Sequence, residues 1–199
     1  MPKVCIDPGH GGSDPGALGI NGDFESRLVL KVAHMVKAII APRCEVLMTR
    51  EDDTFVSLSE RCRMANKWGA DIFVSIHFNS ATPDAHGWEV FTSGSTGSRK
   101  LASDLAEAHA AEFYEQRERG IKQAGFYVLK ETDMPAALWE GGFISNAKEA
   151  EWINQHETQV RMADAIAQGI ISHLGLADTP SALTLEERVV RIENHLGLE

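Results

Sequence analysis

Val4-Cys5-Ile6-Asp7-Pro8-Gly9-His10-Gly11-Gly12 begins with a short apolar run that stops at Asp-Pro-Gly and is followed by a histidine and two more glycines. The apolar run reads as a buried strand, and the glycine-rich segment as a turn whose backbone can bend around a bound group. A side chain at the end of such a strand stands where open α/β sheets place their binding groups. This segment therefore predicts both the start of an α/β domain and the position of its site.

The pattern continues outward from that strand. Apolar residues recur with a helical period at Phe24, Leu28, Val32, Met35, Val36 and Ile39, and Pro42 marks the end of that helix. Cys44 to Thr49 reads as a second strand. Ser57-Leu-Ser-Glu60 is a capping-box pattern that opens a helix running to Trp68, with Gly69 as its stop. Asp71 to Phe78 is almost continuously apolar and reads as a central strand. Gly87 to Thr92 reads as a fourth strand, with Trp88, Val90 and Thr92 on one face. A helix is predicted from Ser98 to Arg117, a fifth strand from Phe126 to Leu129, and a sixth from Ala136 to Glu140. Two helices, 146–154 and 157–174, follow. Strands alternating with helices predict a three-layer α/β domain over residues 1–175. Its six-stranded sheet is mostly parallel or mixed and is flanked by helices. Residues 176–183 read as a linker. Residues 184–199 read as a short helical tail with a heptad seam at Leu185, Val189, Ile192 and Leu196. That tail suits a homo-oligomer contact, docking on the parent domain, or the start of a further binding region.

Bulk composition removes several function classes. The chain has 199 residues, a formal net charge of −10 and 43% hydrophobic residues, enough for one sizeable core. Its acidity argues against a nucleic-acid partner, which would need a basic stripe. No run approaches the ~20 apolar residues of a membrane span, so membrane insertion is not expected. Met1-Pro2-Lys3 leads directly into a strand with no signal-peptide pattern. The expectation is synthesis in the cytoplasm, with any extracellular action following release. Cys5, Cys44 and Cys62 have no metal-binding spacing and read as reduced core thiols. Gly11, Gly12 and Gly16 lack the Gly-Lys-Ser/Thr of a phosphate loop.

Four residues stand where chemistry could gather. Hydrolytic zinc sites commonly use two histidines and a carboxylate and leave one position open. His10 follows the first strand, His77 ends the third, and Glu25 opens the first helix, so its carboxylate can reach back toward the first turn. Strand periodicity puts Ser75, His77 and Asn79 on one face. Glu140 ends the apolar run Ala136-Ala-Leu-Trp139. Each also has a plain structural reading: His10 as a turn residue, Glu140 as a solvated strand end, Asn79 as a turn cap. His34, His86, His109, His156, His173 and His195 read as surface or helix residues.

The chain resembles the zinc-dependent N-acetylmuramoyl-L-alanine amidases of the type-3 amidase family, found in bacterial autolysins and phage endolysins. The resemblance rests on Ile6-Asp-Pro-Gly-His-Gly-Gly12, on Glu25, on Ser75-Ile-His-Phe-Asn79 and on Leu138-Trp-Glu-Gly-Gly-Phe-Ile-Ser-Asn146. Arg119-Gly-Ile-Lys122 and Tyr127-Val-Leu-Lys130 also fit the pattern. It covers residues 3–174. It implies one Zn²⁺ per chain held by His10, Glu25 and His77, and Glu140 as catalytic acid and base. It further implies bacterial peptidoglycan as partner, with cleavage of the amide between the N-acetylmuramic acid lactyl group and L-alanine. Asn79 is a candidate substrate contact. Two positions depart from the pattern: Trp139 replaces a small or apolar residue, and Gly141 is an added glycine. Both are expected to shape the pocket wall. Other readings are a different zinc peptidase or deacetylase acting on wall material, and an inactive wall-binding module.

Overall fold

The computed structural model describes residues 1–176. The predicted linker at 176–183 and heptad tail at 184–199 lie, save for residue 176, outside the described residues. The elements run β1 (Lys3–Pro8), α1 (Glu25–Ile40), β2 (Glu45–Met48), α2 (Leu58–Trp68), β3 (Ile72–Asn79), β4 (Trp88–Thr92), α3 (Thr96–Glu112), β5 (Glu118–Gln123), α4 (Tyr127–Lys130), β6 (Ala136–Phe143), α5 (Ala147–Ile153) and α6 (His156–His173). The sheet order is β2-β1-β3-β6-β4-β5. β2, β1, β3 and β6 run parallel, β4 is antiparallel to β6, and β5 runs parallel to β4. The sheet is therefore mixed, with six strands as expected.

One predicted strand is wrong. Phe126 to Leu129 is no strand: residues 127–130 form the single helical turn α4, whose Val128 and Leu129 are buried in an apolar cluster with Cys62 and Ala65 of α2. The fifth strand lies earlier, at Glu118-Arg-Gly-Ile-Lys-Gln123, directly after the helix predicted to end at Arg117. It is an edge strand with no large apolar face, so its sequence carries little of the usual strand signal.

The two faces of the sheet are covered unequally. On one face α1, α3 and α6 bury Val4, Ile6, Ile72, Val74, Ile76, Val90, Ala137 and Trp139 in a large core. On the other, α2 and α4 cover only Cys5, Phe73, Ala136 and Leu138. Beyond that small cluster the same face carries Asp7, Ser75, His77, Glu140 and Glu89, because side chains alternate along a strand. Polar groups thus collect at one end of the half-covered face. Among the described residues, no helix is long and apolar enough to cross a membrane.

Candidate active site

The turn after β1 is held in an uncommon shape. His10 has φ 60°, in the left-handed region that L side chains seldom adopt. Two buried arginines fix it by taking its carbonyls. Arg50 donates to Pro8 O (3.0 Å) and Gly9 O (2.7 Å), and Arg61 donates to Pro8 O (2.7 Å) and His10 O (2.6 Å). Arg61 also pairs with buried Asp7 at 2.7 Å, and Asp7 accepts from Thr49 Oγ1 and Ser75 Oγ. Burial alone would raise the Asp7 pKa, but Arg61 and these hydroxyls hold it below the usual carboxylate range. Gly11 and Asp14 close the turn with a reciprocal pair of backbone hydrogen bonds.

That turn brings His10 to Glu25 and His77. His10 Nε2 lies 3.2 Å from one Glu25 oxygen and His77 Nδ1 lies 2.9 Å from the other. One ligand atom from each of the three residues falls within 4.8 Å of the others, a grouping that could hold a metal ion. Glu25 sits in the first turn of α1, where the helix N-terminus favours a negative charge. It also accepts the backbone N–H groups of Ala17 and Phe78. Burial would raise its pKa, but the hydrogen bonds and charges of the two histidines hold it far below the usual range. For His10, burial disfavours the proton, yet Glu25 and Asp14 together raise its pKa.

The contact between His10 Nδ1 and Asp14 Oδ2, at 2.9 Å, matters for ligation. A metal-binding histidine commonly donates its second ring N–H to a carboxylate, which fixes tautomer and orientation. With the proton on Nδ1, the Nε2 lone pair of His10 faces the Glu25–His77 side. The donor types, their convergence and this supporting carboxylate all suit a divalent cation of the zinc type.

Glu140 stands beside the trio. It is the register partner of His77 across β3 and β6, and of Glu89 across β6 and β4. Its Oε2 is buried with no hydrogen-bond partner among the described residues. Burial pushes its pKa well above the ordinary carboxyl range, and the charges of Glu25 and Glu89 add to the rise. An unpartnered buried polar atom is costly and points to a role beyond folding. The β3–β6 register shifts just past the His77–Glu140 pair. Such a bulge ends regular pairing and re-aims side chains beside a site.

The profile of the N-acetylmuramoyl-L-alanine amidase family matches residues 4–172. The chain belongs to that family. It is similar to the sporulation-specific N-acetylmuramoyl-L-alanine amidase of Bacillus subtilis, with 37% identity covering 92% of this chain and 72% of the relative. The endolysin of Bacillus phage SPP1 is 39% identical, covering 87% of this chain and 66% of that one. The solved catalytic domain of the amidase CwlV from Bacillus (Paenibacillus) polymyxa superposes with a TM-score of 0.86 at 38% identity, covering 89% of this chain and all of that domain. The fold and the enzyme class expected from the resemblance thus stand.

Two expectations about the amidase need correcting. Trp139 does not shape the pocket wall. It alternates with Glu140 and lies fully buried on the opposite face, edge-on to Phe78, with its indole N–H donated to His109 Nδ1 at 3.2 Å. A Cβ on Gly141 would overlap that indole, with Cζ2 at 2.7 Å, so the two departures from the family pattern compensate each other. His109 does lie in helix α3, but at the core rather than the surface: it is fully buried. Asn79 donates from its amide to Glu89 Oε1 at 2.7 Å, and its oxygen accepts the Ser80 N–H, which caps the strand end. Cys5 and Cys62 are buried thiols, as expected, and burial pushes the Cys62 pKa up to about 11.

Asp14, Glu89, Arg50 and Arg61 escaped the sequence reading. For Asp14 a signal existed, since a carboxylate four residues beyond His10 falls across the same tight turn. A separate cleft between α3 and α5, lined by Phe113, Gln116, Trp152 and Arg161, shares no residue with the site.

Proposed function

We propose that this amidase holds one Zn²⁺ per chain on His10, Glu25 and His77. Glu140 acts as its catalytic acid and base on the amide joining the N-acetylmuramic acid lactyl group to L-alanine. The carrying observation is the convergence of three ligand atoms within 4.8 Å, with Glu140 in register beside one of the three residues and its Oε2 without a hydrogen-bond partner among the described residues.

A Zn²⁺ at this site would supply Lewis acidity toward the carbonyl and lower the pKa of a coordinated water to about 7. The protein's own residues do the rest. Asp14 keeps His10 in one tautomer, and the backbone N–H groups of Ala17 and Phe78 keep Glu25 in place. Glu140 Oε2 takes a proton from the attacking water and gives it to the alanine nitrogen as the C–N bond breaks. A carboxyl whose pKa is raised above the ordinary range by burial suits both transfers. Asn79, tied to Glu89 and Ser80, can offer substrate only its second amide hydrogen.

The place of action is the bacterial wall, and the likeness to an endolysin supports lysis of that wall after release from the cell interior. Mass spectrometry of fragments released from purified peptidoglycan tests the reading. The expected products carry a new L-alanine amino terminus and no new reducing sugar. A cut elsewhere in the stem, loss of an N-acetyl group, or binding without cleavage would each overturn it.

A further inference from the structure

Regular sheet pairing stops holding β6 at Glu140. On the β4 side Glu140 is the last paired residue, opposite Glu89, and on the β3 side the register shifts just past His77 and Glu140. Two glycines follow, Gly141 and Gly142, and bring no side chain that could anchor the strand end. The Glu140 carboxyl does not anchor itself through Oε2 either, since that atom has no hydrogen-bond partner among the described residues. The backbone on which the carboxyl rides is therefore held from elsewhere.

A chain of polar side chains closes around this strand end. Trp139 Nε1–H donates to His109 Nδ1 at 3.2 Å. An indole N–H can only donate, so the His109 proton lies on Nε2, which donates to Gln116 Oε1 at 2.8 Å. That fixes the Gln116 amide. Its Nε2 donates to Gly141 O at 3.0 Å and to Glu149 Oε1 at 3.1 Å. Glu149 also accepts the Gly87 N–H on Oε1 at 2.9 Å and the Phe143 N–H on Oε2 at 2.8 Å. The network thus leaves β6 at residue 139, returns at 141 and 143, and ties that end to the residue preceding β4. It encloses Glu140 without touching its side chain. A Cβ on Gly142 would lie 3.3 Å from Gln116 Nε2 and 3.4 Å from Glu149 Oε2, so the pair fits closely around the bare backbone. Gln116 and Glu149 are only half-buried and border the cleft between α3 and α5, so the core does not need them for its volume.

We propose that Gln116 and Glu149 are positioning residues for Glu140, holding the end of β6 so that the Glu140 carboxyl stays beside His10, Glu25 and His77. This inference rests on the amidase reading, and the test separates the two. Cleavage of a soluble disaccharide-tripeptide muropeptide by the zinc-loaded full chain is followed for the wild type, for Gln116→Leu and Glu149→Gln, and for each of these combined with Glu140→Gln. Gln116→Leu removes both donated hydrogen bonds, and Glu149→Gln sets an amide N–H where an acceptor is required. Misplacing a reacting group by about 1 Å costs about 100-fold, so each single variant should lose about 10- to 100-fold in kcat, with KM within about twofold of wild type. Bound zinc should stay stoichiometric by elemental analysis. On top of Glu140→Gln the same changes should cost less than about twofold, because the group they serve is already disabled. An effect through general stability would instead multiply with that of Glu140→Gln. Single variants with kcat within about twofold of wild type, or a full loss recurring in the Glu140→Gln background, overturn the positioning role and leave the amidase reading intact. Failure of both single variants to fold assigns the pair to stability and overturns the role as well. If the wild type leaves the muropeptide uncut, the amidase reading falls, and the positioning role with it.

Discussion

Gly9 faces His77 so closely that a Cβ at position 9 would overlap the imidazole, with Nδ1 only 2.6 Å away. Gly9 does not need its glycine for backbone freedom, since its φ lies outside the positive range. It needs the absence of a side chain. Gly9→Ala should therefore fold but displace His77. Zinc retained after dialysis, read by elemental analysis, should fall at least tenfold. Full retention would show that the ring can move aside without consequence.

Asp14 is half-exposed and contributes little to the core, so its effect should be confined to His10. Asp14→Ala is expected to weaken zinc binding by about 10- to 100-fold with little change in stability. Competition with a fluorescent chelator measures the first and urea unfolding the second. Unchanged zinc affinity would remove Asp14 from the site.

Glu140→Gln keeps the shape of the side chain and removes its capacity to carry a proton. Turnover on purified walls should drop by about 10²- to 10⁴-fold while bound zinc stays stoichiometric. Near-normal turnover would refute its role.

Arg61 holds both the Asp7 carboxylate and the strained turn. Removing one partner of a buried ion pair leaves the other charge stranded, at a cost of about 3–5 kcal/mol. Arg61→Met should lower stability by that order in urea unfolding. A loss below about 1 kcal/mol would mean that Thr49 and Ser75 satisfy Asp7 unaided.

His109 gives the pH dependence of stability a definite sign. Burial pushes its pKa down to about 4, whereas an unfolded histidine titrates near 6.5. Below about pH 6.5 the unfolded chain therefore binds more protons than the native one. Stability should decline as pH falls toward about 4, by about 3 kcal/mol in all. His109→Gln, which can still accept the Trp139 N–H, should flatten that limb. Identical slopes for the two proteins would exclude His109 as its source.

The parts of the site that could be read in advance lie on strongly patterned elements. His77 and Glu140 follow apolar strands of period two, and Glu25 opens an amphipathic helix, so each side chain's direction follows from its position. β5 escaped because an edge strand carrying Arg119 and Lys122 toward Glu89 has polar residues where a strand would normally show apolar ones. Phe126-Tyr-Val-Leu was misleading because its strand-forming residues are used in a single helical turn packed against α2. Here tertiary burial outweighs local preference. Asp7 and Arg61 could not be paired from sequence, since 54 residues separate them and only the sheet and α2 bring them together.

The pairing of Trp139 with Gly141 ties the two positions together. A side chain at 141 and the indole at 139 would occupy the same space. Neither position can therefore be redesigned alone: a larger residue at 141 is accommodated only once the tryptophan is replaced by a smaller one.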